Sequence, residues 1–173
     1  MLDLVREHDL RPDDVDEIRV YAGSNILDPL RYALPQTSLE AKFSLPFCLT
    51  SILLRRKAGI REFSDEFVKS AEVQNGMKRV KTLRDPAIEK QGYSKILSRI
   101  EVSLKNGKIL SAQSAPYKGG PENPLSDAEL AQKFRECAGI TLTPSQVEAA
   151  LKHLRTMEAC KDIRVLIPVL LPD

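Results

Sequence analysis

The chain has 173 residues and carries 26 Lys+Arg against 24 Asp+Glu, a formal charge of +2 at pH 7. That charge is too small to make an electrostatic case for a nucleic acid or an anionic membrane. With 42% hydrophobic and 29% charged residues, the composition is that of a globular protein, not of a disordered, collagen-like or disulfide-built chain. Three cysteines without CxxC spacing, and no apolar leader after Met1, point to a reducing, cytoplasmic setting. The longest apolar stretches, around Leu45–Leu54 and Val165–Leu171, are far shorter than the roughly 20 residues of a membrane span.

Residues 2 to 8 place apolar side chains at helical spacing and run into the turn Arg11-Pro12-Asp13-Asp14. No Ser, Thr or Asn precedes this helix to cap it, so it reads as a helix entered midway and the chain as truncated. Val15–Ala22 is rich in β-branched residues and predicts a strand reaching a turn at Gly23-Ser24-Asn25. Thr37-Ser38-Leu39-Glu40 is a capping box opening a helix, which either kinks at Pro46 or restarts there with the proline in its first turn. The run Phe47, Cys48, Leu49, Ile52, Leu53, Leu54 is too continuous for a surface helix and predicts the central core element, closed by Arg55-Arg56-Lys57 and stopped at Gly59.

Ser64-Asp65 caps a short helix flanked by Phe63 and Phe67, and Val73–Val80 reads as another short helix. Ile96, Ile100, Val102 and Leu104 form a strand that turns at Asn106-Gly107 into a second strand over Lys108–Ala115. The segment Lys118-Gly119-Gly120-Pro121-Glu122-Asn123-Pro124 sets a boundary before a helical tail. In that tail Ser126 and Glu129 form a capping box, with Leu130, Phe134 and Cys137 on one helix face. Thr143-Pro144 opens a second helix with Val147, Ala150, Leu151 and Leu154, and Asp162 starts a last short one over Ile163–Leu170. The boundary leaves a region of mixed helices and strands over 1–118 and a helical tail over 119–173.

Chemistry is sparse. General acid–base work calls for His or a perturbed carboxylate, and the only histidines, His8 and His153, read as surface or packing residues. No GxSxG, HExxH, EF-hand loop or P-loop occurs, so no nucleophile, metal or cofactor site is assigned, and Cys48 reads as core. Gly119-Gly120 reads as a linker, and Lys78, Arg79, Lys81 and Arg84 as a solvated face without aromatics to stack bases. Glu40, Lys42 and Ser44 crowd polar groups at the start of an apolar helix. Lys42 and Ser44 are the substrate-adjacent candidates, Lys42 as a cation for a carboxylate, against the plainer reading of a solvated first turn.

Three stretches carry a family resemblance. Glu40-Ala41-Lys42-Phe43-Ser44-Leu45-Pro46-Phe47 resembles the Glu-Ala-Lys-Phe-Ser-Leu-Pro-Tyr block of the 2-methylcitrate dehydratase (MmgE/PrpD) family. Glu122-Asn123-Pro124-Leu125-Ser126-Asp127-Ala128-Glu129-Leu130 followed by Lys133-Phe134 is similar to its late signature, and Leu4–His8 through Asp16-Glu17-Ile18 also fits. The resemblance covers nearly the whole chain, but only the C-terminal portion of the family. It implies a complete protein more than twice this length, with a large helical domain followed by an α+β lid over 1–118, a two-layer α/β sandwich with a mainly antiparallel sheet, and a helical tail over 119–173 that returns to the helical domain. It also implies cofactor-free proton abstraction beside a carboxylate, leading to dehydration, decarboxylation or epimerisation of small di- and tricarboxylic acids. The family's principal His, Asp and Lys lie in the helical domain, outside this chain. A substrate-contacting Tyr of the decarboxylase branch would fall near Ile26–Pro29, where this chain has none. The expected partners are the N-terminal helical domain in cis or trans, a small carboxylic acid in the complete enzyme, and a second copy in a homodimer. Nucleic acid and membrane are not expected. The reading from another class is a non-catalytic interaction module that uses the tail helices, with Leu130, Phe134, Leu151, Leu154 and Leu166, to bind a protein.

Overall fold

The computed structural model describes residues 1–114 and 116–171. Ala115, the expected end of the second hairpin strand, and Pro172 and Asp173 of the tail lie outside the described residues. The chain divides into two compact units, Met1–Tyr117 and Lys118–Asp173.

The first unit begins with α1 (Leu2–Glu7), β1 (Val15–Ala22), α2 (Ser24–Leu27), α3 (Ser38–Ala41) and α4 (Leu45–Arg55). It continues with α5 (Asp65–Lys69), α6 (Ala71–Met77), β2 (Val80–Arg84), α7 (Pro86–Glu89), β3 (Ser98–Leu104) and β4 (Ile109–Gln113). The strands form one sheet in the order β2-β1-β3-β4. The fold class is α+β, but the sheet is mixed rather than mainly antiparallel. β3 and β4 pair antiparallel beside β1, whereas β2 runs parallel to β1, with Ile18 opposite Val80. The reason is the connection: residues 23–79 carry the chain through five helices, and a crossover of that length returns it to the end of the sheet where β1 began.

β2 occupies the stretch whose start was expected to finish a helix. Only Val80 in it is buried, and Lys81 and Arg84 are charges of the kind that suit an edge strand. The Asn106-Gly107 turn forms as expected, with Gly107 at φ +86° and the Leu104 N–H donating to the Lys108 carbonyl at 2.8 Å. A three-residue loop of this kind needs a left-handed residue at that position, which glycine adopts without penalty.

The alternation along β1 and β3 decides which sheet face is covered. Ile18, Val20, Ile100 and Val102 join Leu4 and Val5 of α1 and Leu49 and Leu53 of α4 in one core cluster, so the helices cover a single face. Arg19, Tyr21, Arg99 and Glu101 occupy the other. There Tyr21 donates its hydroxyl proton to Glu101 at 2.9 Å, and Arg99 lies 3.9 Å over the Tyr21 ring while pairing with Glu101. A second cluster gathers Ala41, Phe47, Val68, Val73 and Met77, with Phe63 and Phe67 tilted and edge-on to Phe47 at 5.0 and 6.1 Å between ring centroids.

The choice at Pro46 falls to a restart: α3 stops at Ala41, and α4 begins at Leu45 with Ser44 as N-cap and the proline in its first turn, where no N–H is required. The helix ends earlier than the expected stop at Gly59. Arg56 takes the left-handed conformation (φ 57°), its N–H donates to the Ile52 carbonyl at 2.9 Å, and its guanidinium pairs with Asp9. Gly59 instead starts a short 3-10 turn over Ile60–Glu62.

The second unit holds α8 (Asp127–Ala138), α9 (Pro144–Arg155) and, after 3-10 turns at Met157–Ala159 and Ile163–Leu166, α10 (Ile167–Leu170). Both predicted caps form as reciprocal capping boxes, Ser126 with Glu129 and Thr143 with Gln146. Arg135 of α8 grips Glu148 of α9 through two hydrogen bonds of 2.6 and 3.0 Å. The inward face of α8 differs from the expected one: Ala131 is buried, Phe134 half-buried, and Leu130 and Cys137 exposed. Of the apolar residues expected to be left uncovered, Leu151 and Leu166 are buried, because α9 and the 163–166 turn pack on each other.

Candidate functional site

The substrate-adjacent residues lie where the chain passes from α3 to α4. The loop after α2 folds back on this junction: Arg31 bridges Ser44 as an isolated antiparallel pair, and the Tyr32 N–H donates to the Phe43 carbonyl at 3.2 Å. Thr37 caps α3 by accepting the Glu40 N–H at 3.2 Å, while a Glu40 carboxylate oxygen accepts the Gln36 N–H at 2.7 Å. Asp65 reaches across to the Ser38 N–H at 2.6 Å, which together with the Ser38 side chain holds its carboxyl below the usual range. These bonds fix both walls of an open cleft of about 450 Å³ lined by Arg31, Tyr32, Thr37, Leu39, Glu40 and Phe43, with Asp28 and Pro29.

The two candidates occupy different environments. Ser44 is fully buried, and its Oγ accepts the Phe47 N–H at 3.1 Å, so it serves as the N-cap of α4. Lys42 is exposed at the C-terminal end of α3 and makes no ion pair among the described residues, but it is not one of the cleft-lining residues. The cation in the cleft is Arg31, whose guanidinium carbon stands 5.5 Å from the Tyr32 ring centroid. Neither Arg31 nor Tyr32 was singled out from the sequence. Their one signal is position, between Pro29 and Pro35 and just ahead of the Thr37 cap, which marks a rigid loop but not what it faces.

Several other titratable groups lie away from this cleft. His8 lies 3.9 Å from Glu7 on the first unit, and His153 is half-buried on α9 of the second. Burial raises the Cys48 thiol above its ordinary value, the behaviour of a core cysteine and not of a nucleophile. Glu89 accepts from the Ser24 hydroxyl and backbone N–H, which lower its pKa, so the α2 N-terminus already holds a carboxylate of the chain itself. The basic run is dispersed: Arg79 donates to the Pro12 and Val15 carbonyls at 2.8 Å each, and Arg84 pairs with Asp28. Among the described residues no three His, Cys, Asp or Glu side chains gather as a metal site would require, and no helix is long and apolar enough to cross a membrane.

The cleft is thus flanked by the Glu40–Phe47 block quoted above, and the MmgE/PrpD C-terminal domain family matches residues 1–159. The chain belongs to that family. It is similar to cis-aconitate decarboxylase of Mus musculus, 26% identical over 136 residues, which cover 79% of this chain and 28% of that protein. It is also similar to cis-aconitate decarboxylase of Homo sapiens, 26% identical over 167 residues, which cover 96% of this chain and 34% of that protein. The chain spans about a third of the length of the curated relatives it matches. In this family member the block does structural work at one end and borders the cleft at the other: Ser44, Pro46 and Phe47 build α4 and its core, while Glu40 and Phe43 line the opening.

Proposed function

We propose that this chain acts as the lid-forming C-terminal portion of an MmgE/PrpD enzyme, and that it turns over no substrate alone. The complete enzyme acts on a small di- or tricarboxylic acid by removing a proton beside a carboxylate, with dehydration, decarboxylation or epimerisation as the outcome. The observation that carries this is the family match across residues 1–159, in a chain with a cation-bearing cleft. An arginine or lysine binds a carboxylate without chemistry of its own, which suits a lid that orients substrate while the proton is moved elsewhere. Lys42 is the outward-facing cation beside the cleft, and Ser44 supports the site as the α4 cap. No cofactor is needed for this chemistry, and none is assigned.

The activity of the relatives, cis-aconitate decarboxylases, makes decarboxylation of a tricarboxylic acid one candidate reaction, and 2-methylcitrate dehydration is the other. The cleft tyrosine, Tyr32, lies just beyond the Ile26–Pro29 stretch where the decarboxylase branch would carry its own. The partners of this reading are the helical N-terminal portion, in cis or trans, and a second copy of the assembled enzyme.

Mixing the purified chain with a separately produced helical portion of a family enzyme tests the proposal. Turnover of cis-aconitate or 2-methylcitrate is expected only in the mixture; turnover by the 173-residue chain alone overturns it. The non-catalytic reading rests on a different feature, the exposed Leu130, Ile140 and Ile163 of the second unit. It predicts complexes that form without any gain in turnover.

A further inference from the structure

Charge in the cleft is unevenly satisfied. Asp28 receives the Arg84 guanidinium at 2.5 Å, and Glu40 accepts the Gln36 backbone N–H at 2.7 Å. Arg31, by contrast, has no carboxylate partner and no side-chain hydrogen bond among the described residues, and its ring neighbour is Tyr32 at 5.5 Å. Its backbone is nevertheless held, through the bridge to Ser44 and the adjacent Tyr32–Phe43 hydrogen bond, to the buried start of α4. A guanidinium on a fixed backbone, stacked near an aromatic ring but without an internal hydrogen bond or ion pair among the described residues, and set in a concave surface, keeps its planar donor fork available to a solute. Leu39 and Phe43, 65% and 46% exposed, add apolar wall in the same cleft, against which a short carbon chain can lie.

We propose that Arg31, and not Lys42, is the carboxylate anchor of this chain, taking a small polycarboxylic acid whose carbon skeleton rests on Leu39 and Phe43. The substrate class rests on the reading given under Proposed function; the choice of residue rests on the cleft. A guanidinium grips both oxygens of one carboxylate, whereas the Lys42 ammonium is a point charge outside the lining. Arg31 is therefore a binding and positioning residue, with no proton to give or take.

The test is a titration of the full-length chain with tricarballylate, an unreactive tricarboxylate, followed by NMR at constant ionic strength. The Arg31 side-chain Nε–H and the Tyr32 and Phe43 amides are expected to shift saturably, and the neutral triamide of the same skeleton is expected to leave them in place. R31Q should weaken binding by about tenfold or more, with R31K between R31Q and the parent and K42Q equal to the parent. Shifts centred on Lys42 would overturn the assignment, as would an R31Q titration matching the parent. Because the Arg31 side chain makes no hydrogen bond within the described chain, R31Q keeps the fold; should its spectrum lose dispersion, the R31K comparison decides. Turnover on mixing without binding at Arg31 removes the anchor and leaves the lid reading, whereas binding at Arg31 without turnover on mixing keeps the anchor and removes the lid reading.

Discussion

The two units of this chain are specified in different ways. In Met1–Tyr117 two core clusters hold the elements together, one between the sheet and α1 and α4, the other around Phe47. Among the described residues of Lys118–Asp173 the buried apolar side chains are Ala131, Val147, Ala150, Leu151 and Leu166, none of them aromatic, while Leu130, Ile140, Ile163 and Ile167 stay exposed. What defines that unit is local: two reciprocal capping boxes, Pro144 in a first turn, and an ion pair between α8 and α9. Burial of large side chains contributes several kcal/mol per residue, whereas a cap contributes about 1. The first unit should therefore fail through its core, and the second through its helix ends.

The largest effect is expected from Phe47→Ala. Phe47 is fully buried among Phe63, Phe67 and Val68, and its loss should cost about 3–5 kcal/mol in urea unfolding of the first unit. A cost under about 1 kcal/mol would show that the cluster is not what holds the unit. Next comes Gly76→Ala, because a Cβ there would stand 2.4 Å from Thr50 Cγ2. It should cost about 1–3 kcal/mol, and Thr50→Ser, which deletes that methyl, should recover part of the loss in a double-mutant cycle. Additive effects would mean that the two sites do not meet.

Ser126→Ala should lower the stability of α8 by about 1 kcal/mol, read from helical circular dichroism during unfolding. The same cap gives a pH signature. The Ser126 backbone N–H, then its hydroxyl, then Lys118 hold the Glu129 carboxyl down from 4.5 to about 2. A carboxyl depressed in the folded state stabilises it above the unfolded value, so the contribution is complete above about 4.5 and fades as pH falls toward about 2. Glu129→Gln should flatten that acid-side slope, and an unchanged slope would place the titrating group elsewhere. The smallest effect is expected from Leu130→Ser, within about 0.5 kcal/mol, since the side chain is 57% exposed. A larger loss in thermal unfolding would show that Leu130 is covered in solution and that the contrast between the units is overdrawn.

Local chemistry was legible from residues alone. The Asn106-Gly107 hairpin turn and the Ser64, Ser126 and Thr143 caps each depend on interactions within a few residues, which the sequence states outright; β1 was legible from its β-branched residues, and at Pro46 the sequence left two choices. The α+β class came with the family resemblance, and the elements agree with it. The second strand of the parallel pair did not follow: Val80–Arg84 buries one side chain, so no period marks it, and its partner β1 ends 58 residues before it begins. Nor did the helix stop at Arg56, where an ion pair to Asp9 holds a left-handed residue that no glycine announces.

The same division runs through the candidate site. The sequence pointed to Glu40, Lys42 and Ser44 because they crowd polar groups at the start of an apolar helix, and by itself it determined the Thr37 cap; that Ser44 caps α4 came only with the structure. Which cation faces the cleft was decided only by tertiary structure. A loop of two prolines folds back to pair Arg31 with Ser44, turning Arg31 toward Leu39 and Phe43 and leaving Lys42 at the helix end. Hydrogen bonds between neighbours are written in the residues that make them, but a cleft is made by segments that meet only once the core has placed them.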